Sequence, residues 1–578
     1  MKLKKVFIPL LTALVLLGVL LSPIAAPVTD YLPFRAEWSV GQVLDPPGNP
    51  FAHSYSDVKD IRTATYVVAA SNSEHRYDVD FKCDGVADDV TIEAAIAALP
   101  ATGGRVLLLD GQYNITGDIH MTALSNITLE GQGDATVILK AANTNAIAIE
   151  DCHYIRIKNL KIDGDSTYTG YGIDIYSNLG VLMEGHRVEG CTIVDLVGAN
   201  STGIYVTYTN DAKIINNKVE NCEKVGLWID DTINSLVHGN LVKSCDEQGI
   251  KVREFTYPDQ HIIISNNTCL DNGASGALSG IDLRSINYAV IANNICNGNT
   301  EHGIYVLSGS YATITGNSCY DNDSRGIMVY DNLSTTVLGN ICKTNGTDGI
   351  CLYGTTADCV VSNNICNANT DVGIMIEESV GYNTVVGNSC YLNEKDGICV
   401  FKSDYNNVIG NNCKDNGQLA NNTYSDIRIW GTGAGANASE HNVVKGNVCL
   451  ATLATKVRYN ISEEAATDNY NMIEGNDVSA GVTATINSLG ANSMVRNNEG
   501  WVTENSGTAT LANGNTTIVV AHGLDVTPTQ GDIVVTPIEH WGNMTFFYID
   551  TFGAANFTIT SDQDPGQDVD FAWKAIVL

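Results

Sequence analysis

Eleven residues between Tyr205 and Tyr305 have the types and the spacing to do chemistry on a sugar chain. Four are carboxylates (Asp230, Asp231, Glu254, Asp282), three are cations (Lys251, Arg253, Arg284) and four are aromatic (Tyr205, Tyr208, Trp228, Tyr305). Tyr205, Trp228 and Lys251 recur at intervals of 23 residues, and the same interval separates Asp230 from Arg253, Asp231 from Glu254 and Asp282 from Tyr305. Two carboxylates flanking a glycosidic bond at ~5–9.5 Å hydrolyse it, and Asp230 or Asp231 with Glu254 or Asp282 could make such a pair. A lyase would instead use the acidic cluster Asp230, Asp231 and Glu254 to hold Ca²⁺, while Lys251, Arg253 or Arg284 takes the α-proton. The expected catalytic set is therefore Asp230, Asp231, Glu254, Asp282 and Arg284, and Ca²⁺ is the cofactor this pattern offers. The expected binding set is Tyr205, Tyr208, Trp228, Lys251, Arg253 and Tyr305, because aromatic faces stack on sugar rings. The same residues also fit an exposed lattice of ion pairs with no activity, since such pairs are weak and common on surfaces.

The 23-residue interval belongs to the whole chain. A Gly followed by a short alternating strand begins at Gly172, Gly203, Gly226, Gly249, Gly280, Gly303, Gly326, Gly349, Gly373 and Gly397, mostly 23 or 24 residues apart. Runs such as Ile304-Tyr305-Val306 alternate with the period of a strand, and no unit contains a helix-length amphipathic stretch. Units that cannot bury a core alone must stack. The expected fold is all-β: a single-stranded right-handed parallel β-helix of about 13 rungs, stacked at ~4.8 Å. The extra residues before Gly203 (LVGANST), after Glu254 (FTYPDQ) and before Gly280 (NGASGALS) read as loops walling one face, beside the eleven residues above.

Three columns test the stacking within the sequence. One is Asn217, Asn240, Asn267, Asn294, Asn317, Asn340, Asn364, Asn388, Asn411, Asn447 and Asn476; another runs from Asn272 through Asn299, Asn322, Asn345, Asn369 and Asn393 to Asn416. Amides in register hydrogen-bond along the stack. The third holds Cys191, Cys269, Cys296, Cys319, Cys342, Cys366, Cys390, Cys413 and Cys449, with Val219, Val242 and Val478 in the same slot. A slot that takes Val or Cys is a small apolar core site, so these read as buried thiols rather than disulfides or metal ligands. An outward apolar stripe, Met328, Cys351, Met375 and Cys399, requires a cover, expected from a loop, the C-terminal module or another subunit.

The formal charge of −33 argues against nucleic acid and against a basic membrane-surface role. Residues 1–26 (MKLKK, an apolar run from Val6 to Leu21, then SPIAA) read as an export signal or a retained signal-anchor, the one route to membrane contact. Residues 27–63, with DPPGNP, read as a linker. Residues 64–500 read as the β-helix, opened by a capping helix that Asp88 or Asp89 starts and whose face is Ile92, Ala95, Ile96 and Leu99. Residues 501–578 break the repeat and read as a small β-sandwich-like domain with turns at Asn513-Gly514 and Pro565-Gly566. His522 in that domain reads as structural.

DGVADDVTIEAAIAAL, GGRVLLLDGQYNIT and ITLEGQGDATVI resemble the opening of pectate-lyase-superfamily right-handed β-helix proteins. The GI and GN units resemble the repeats of carbohydrate-binding, sugar-hydrolase and NosD-like β-helices, and the C-terminal segment resembles the β-modules of phage tail proteins. The resemblance implies the fold over residues 80–500 and leaves activity open, because the superfamily contains lyases, hydrolases, epimerases, tailspikes and non-enzymes. The leading expectation is an exported, secreted or cell-surface protein whose partner is a polysaccharide, which it recognises and, as lyase or hydrolase, cleaves. The alternatives are a non-catalytic adhesin or surface rod, and a NosD-like periplasmic accessory protein. A homo-oligomer stays open in each.

Overall fold

The computed structural model describes residues 65–578 except 255, 257–260, 454, 480 and 578. The leader expected at 1–26 and the linker expected at 27–63 lie outside the described residues, as does most of the FTYPDQ insertion.

The repeat folds into parallel coils. The strand after each landmark Gly joins a fifteen-stranded parallel sheet, from Ile119–Thr122 to Ile486–Asn487. Most coils then add two short strands, such as Thr336–Leu338 and Ile341–Lys343, that stack on their counterparts in the neighbouring coils. The coil count exceeds thirteen because five rungs, starting at Ile119, Ile147, Ile427, Ile461 and Ile486, stack in register on the ten of the Gly series without the landmark Gly.

Side chains alternate as the period-two pattern requires. Ile304 and Val306 point inward and are buried, while Tyr305 between them is half-buried on the outer face. The landmark Gly is a close-approach residue: a Cβ on Gly349 would lie 2.6 Å from the Gly373 carbonyl oxygen and 2.9 Å from Asn369 Nδ2. Both Asn columns form ladders. Asn340 Nδ2 donates to Asn364 Oδ1 (3.0 Å) and to the Ile314 carbonyl (2.9 Å), and its Oδ1 accepts from the backbone N–H and Nδ2 of Asn317, each at 2.9 Å. A further ladder, Asn383–Asn406–Asn442–Asn471, went unnoticed in the sequence. Cys269, Cys296, Cys319, Cys342, Cys366, Cys390, Cys413 and Cys449 stack in register between Val242 and Val478. All sixteen cysteines are free and buried.

The capping helix is Asp88–Ala97, with Ile92, Ala95 and Ile96 buried. Its start differs from the sequence expectation: Ala87, in the left-handed region, is the N-cap, and neither acid caps the helix. Asp88 instead accepts from the Gly85 and Asn114 backbone N–H groups, at 2.9 and 2.8 Å, and Asp89 accepts from Thr116 N–H at 2.9 Å. The two acids thereby fasten the helix to the strand Gly111–Ile115 and the turn after it.

Beyond the solenoid, two three-stranded antiparallel sheets enclose a separate core of Leu511, Phe557, Ile559, Val569, Phe571 and Trp573. His522 is buried there; its Nε2 bonds the Gly553 carbonyl and its Nδ1 accepts from Leu524 N–H, which is a structural role.

The apolar outer stripe is covered from within its own rungs. Cys351 and Cys399 are buried, Met328 is 5% exposed and Met375 is half-buried. Arg325 reaches over Cys351 to Asp348 (2.9 Å) and Glu377 (3.4 Å), and Arg428 pairs with Asp396 (3.5 Å) and Glu464 (3.7 Å).

Candidate functional site

Parallel pairing brings most of the eleven residues onto one face. Register aligns Asp174, Tyr205, Trp228, Lys251, Asp282 and Tyr305 in one outward column. Thr207, Asp230, Arg253 and Arg284 form a second column two residues further along each strand. Asp231, Glu254 and Tyr208 sit where the strands end, Asp231 and Tyr208 with left-handed backbones that turn the chain out of the sheet.

The rings make a continuous platform. Tyr171 stacks on Tyr205 with centroids 5.4 Å apart, and Tyr205 meets Trp228 at 5.0 Å. Lys251 Nζ and Arg253 Cζ each lie 4.7 Å from the centre of the Trp228 ring, a cation–π arrangement, and Arg284 lies 5.7 Å from that of Tyr305.

The carboxylates are less available than the sequence suggested. Asp282 is 1% exposed; Arg284 Nε and Nη2 bond its two oxygens at 2.8–3.2 Å, and Gln248 Nε2 adds a third donor at 3.2 Å. Asp282 thus orients Arg284 and is withdrawn from anything lying on the face. Asp230 accepts from Arg253 Nη2 at 3.0 Å; burial pushes its carboxyl above the ordinary carboxylate range, against the pull of Arg253. Burial pushes the Lys251 ammonium down, and the neighbouring Arg253 charge adds to that. Asp231 and Glu254 both accept from the Thr256 backbone N–H, at 3.1 and 2.8 Å.

Ca²⁺ does not fit this donor set. Among the described residues no group of three or more His, Cys, Asp or Glu side chains is placed to hold a metal ion. Asp230 is turned to a guanidinium, while Asp231 and Glu254 converge on a backbone amide.

The face carries unsatisfied hydrogen-bonding capacity. Among the described residues, Asp174 Oδ1, Trp228 Nε1, Asp230 Oδ1 and Gln248 Oε1 are buried without a partner. Asp174 and Gln248 were not among the expected site residues. Asp174 accepts from Asn145 Nδ2 at 3.0 Å, and burial, then the nearby Asp118 charge, push its carboxyl up to about 7. Aligning the position before each landmark Gly would have found Tyr171 and Gln248, which precede Gly172 and Gly249.

Farther along the same side of the sheet lies an open cleft of about 630 Å³, lined by Tyr330, Tyr353, Glu378, Lys402 and Asn437 among others. Tyr330 and Tyr353 end equivalent strands, four residues after Gly326 and Gly349.

Residues 119–280 and 255–389 match the family model described as right handed beta helix region. No curated protein matches the chain. Among solved structures, the A-module of mannuronan C-5 epimerase AlgE6 from Azotobacter vinelandii aligns with 72% of this chain and 96% of its own, at 17% identity and a TM-score of 0.39. The catalytic unit of the GH87 alpha-1,3-glucanase from Streptomyces thermodiastaticus aligns with 62% of this chain and 65% of its own, at 16% identity and 0.41. Tailspike protein 3 of bacteriophage CBA120 aligns with 71% and 59%, at 12% identity and 0.38. The fold built by the parallel sheets is a right-handed parallel β-helix, and the family match lies within it, over residues 119–389.

Proposed function

We propose that this protein is exported and binds a polysaccharide along the outer face of the fifteen-stranded sheet, with Tyr205 and Trp228 as the stacking platform. The observation that carries the reading is the outward column that register builds, in which the half-buried Tyr205 and Trp228 rings stand beside the Lys251 ammonium and the Arg253 guanidinium. A polyhydroxyl ligand supplies acceptors to the ammonium and guanidinium groups, and its C–H surfaces pack on the outward parts of the stacked rings.

The charge balance favours a neutral glycan. Three cations on the face (Lys251, Arg253, Arg284) stand against four carboxylates (Asp230, Asp231, Glu254, Asp282), so it offers no net cation for a polyanion. Cleavage is the weaker part of the sequence expectation, because Asp282 is sequestered by Arg284.

The test is binding of the whole protein to a panel of neutral and uronate-containing polysaccharides, by calorimetry. Tyr205→Ala and Trp228→Ala should each weaken binding to the best neutral glycan at least tenfold, about 1.4 kcal/mol. Affinity unchanged in both variants, or confined to uronates, would refute the reading.

A further inference from the structure

We propose that the cleft lined by Tyr330 and Tyr353 is a second glycan-binding site, and that one linear neutral polysaccharide runs along the rod to engage it together with the Trp228 platform. The inference rests on the function proposed above and adds the ligand's direction and length.

The cleft is built into the fold. Tyr330 and Tyr353 occupy equivalent positions on adjacent strands and pack edge to face, with centroids 5.0 Å apart and planes at 66°. Gly354, just beyond them, has φ +75°, and a Cβ there would meet Asp331 Oδ1 at 2.4 Å and the Tyr330 ring at 2.6 Å. The glycine therefore lets Asp331 and the Tyr330 ring pack directly on the backbone at the cleft floor, where any other residue would collide with both. The opposite side is supplied by Ala436–Ala438, in the long connection after Ile427–Trp430. Sugar-compatible polar groups line it: Asp331 is tied down by Thr355, and Lys402 Nζ bonds Glu378 at 2.9 Å, which leaves further donor and acceptor capacity on both. An aromatic pair with carboxylates and an ammonium, in about 630 Å³, suits a few pyranose rings better than an apolar ligand.

Geometry joins the two sites. Trp228 and Cys351 share one outward column through Lys251, Asp282, Tyr305 and Met328, which is five rung steps. At ~4.8 Å per step the span is ~24 Å, and Tyr353 lies on the same strand as Cys351. The rings of Tyr305 and Tyr330 lie between. Rung spacing is close to the length of one sugar residue in an extended chain, so a glycan parallel to the axis meets successive rungs nearly in step. Two linked contacts on one chain raise affinity through effective concentration once the chain spans both.

The experiment is calorimetry of the full chain with linear oligosaccharides of the best neutral glycan, from two to twelve residues. Wild-type affinity should rise at least tenfold between trimers and octamers. Tyr353→Ala should abolish that rise and lower the number of trimers bound per chain from two to one, with trimer affinity at the Trp228 platform unchanged. Val380→Trp, at an exposed lining residue, should do the same by filling the cleft, which guards against a folding defect in the first variant. Trp228→Ala should weaken trimers and octamers alike. Affinity that plateaus at the trimer, or a length-dependent rise that survives both cleft substitutions, would overturn this inference while leaving the Trp228 platform intact. Absence of binding to every oligomer would overturn both.

Discussion

Replacing Asp426 by Asn should make this protein more stable at neutral and alkaline pH. In most rungs a Gly occupies the position before the sheet strand, but in this one Asp426 does, and its side chain ends the second Asn ladder. Its Oδ1 accepts from Asn416 Nδ2 at 2.8 Å, its Oδ2 accepts from Asn460 Nδ2 at 3.2 Å, and it is fully buried. Burial pushes its carboxyl from 3.8 up to about 7. Between those values the folded protein holds a proton that the unfolded chain has released. The stability this contributes is therefore complete below about pH 3.8 and lost as pH rises through 7. At about 1.36 kcal/mol per pH unit, the loss from this one group is about 4 kcal/mol.

An amide cannot titrate. In Asp426→Asn the oxygen can keep the Asn416 bond, and the new NH₂ can donate to Asn460 Oδ1 once that amide turns over. Asn460 Oδ1 is buried and has no partner among the described residues, so the exchange trades that orphan for the Asn460 Nδ2 and adds none to the count. Urea unfolding of both proteins at pH 4 and pH 8 is the assay. The variant should gain up to about 4 kcal/mol at pH 8 and little at pH 4. Some pH dependence should remain in the variant, because burial also raises Asp174 to about 7 and Asp348, Asp396 and Asp468 to about 6. A variant less stable than wild type at pH 8, or an unchanged difference between the two pH values, would refute the argument that a buried carboxylate strains this ladder.

Three other outcomes follow from the packing. Arg325→Ala should cost about 3 kcal/mol in urea unfolding, since it strands the buried Asp348. It should also admit a thiol reagent to Cys351, which wild type excludes. In native protein none of the sixteen thiols should react with Ellman's reagent, and all sixteen should after denaturation under nitrogen; a native count of four or more would contradict the buried column. Gly349→Ala should lower the unfolding midpoint by the equivalent of about 1–3 kcal/mol, because its methyl would press on the Gly373 carbonyl and the Asn369 amide.

The fold was legible because a solenoid writes its tertiary contacts into its sequence period. Residue n meets the residue one coil on, so the Asn, Cys and Gly columns are contacts as well as repeats, and Val in the Cys slot identified a core site without coordinates. The alternation around each landmark Gly likewise told inward Ile304 from outward Tyr305. Local chemistry was less legible. Asp282 and Arg284 are two residues apart on one strand, and nothing in the sequence says that the guanidinium folds back over the carboxylate. That choice depends on burial and on Gln248 from another rung. Asp88 and Asp89 have the composition of a helix cap, but the backbone amides of a neighbouring strand claimed them. The Tyr330–Tyr353 cleft needed a wall from a connection some 80 residues downstream, outside the periodic part of the coil. What repeats with the rung could be read from the sequence alone; what depends on an irregular segment, or on which of several neighbours takes a hydrogen bond, was decided only when the chain folded.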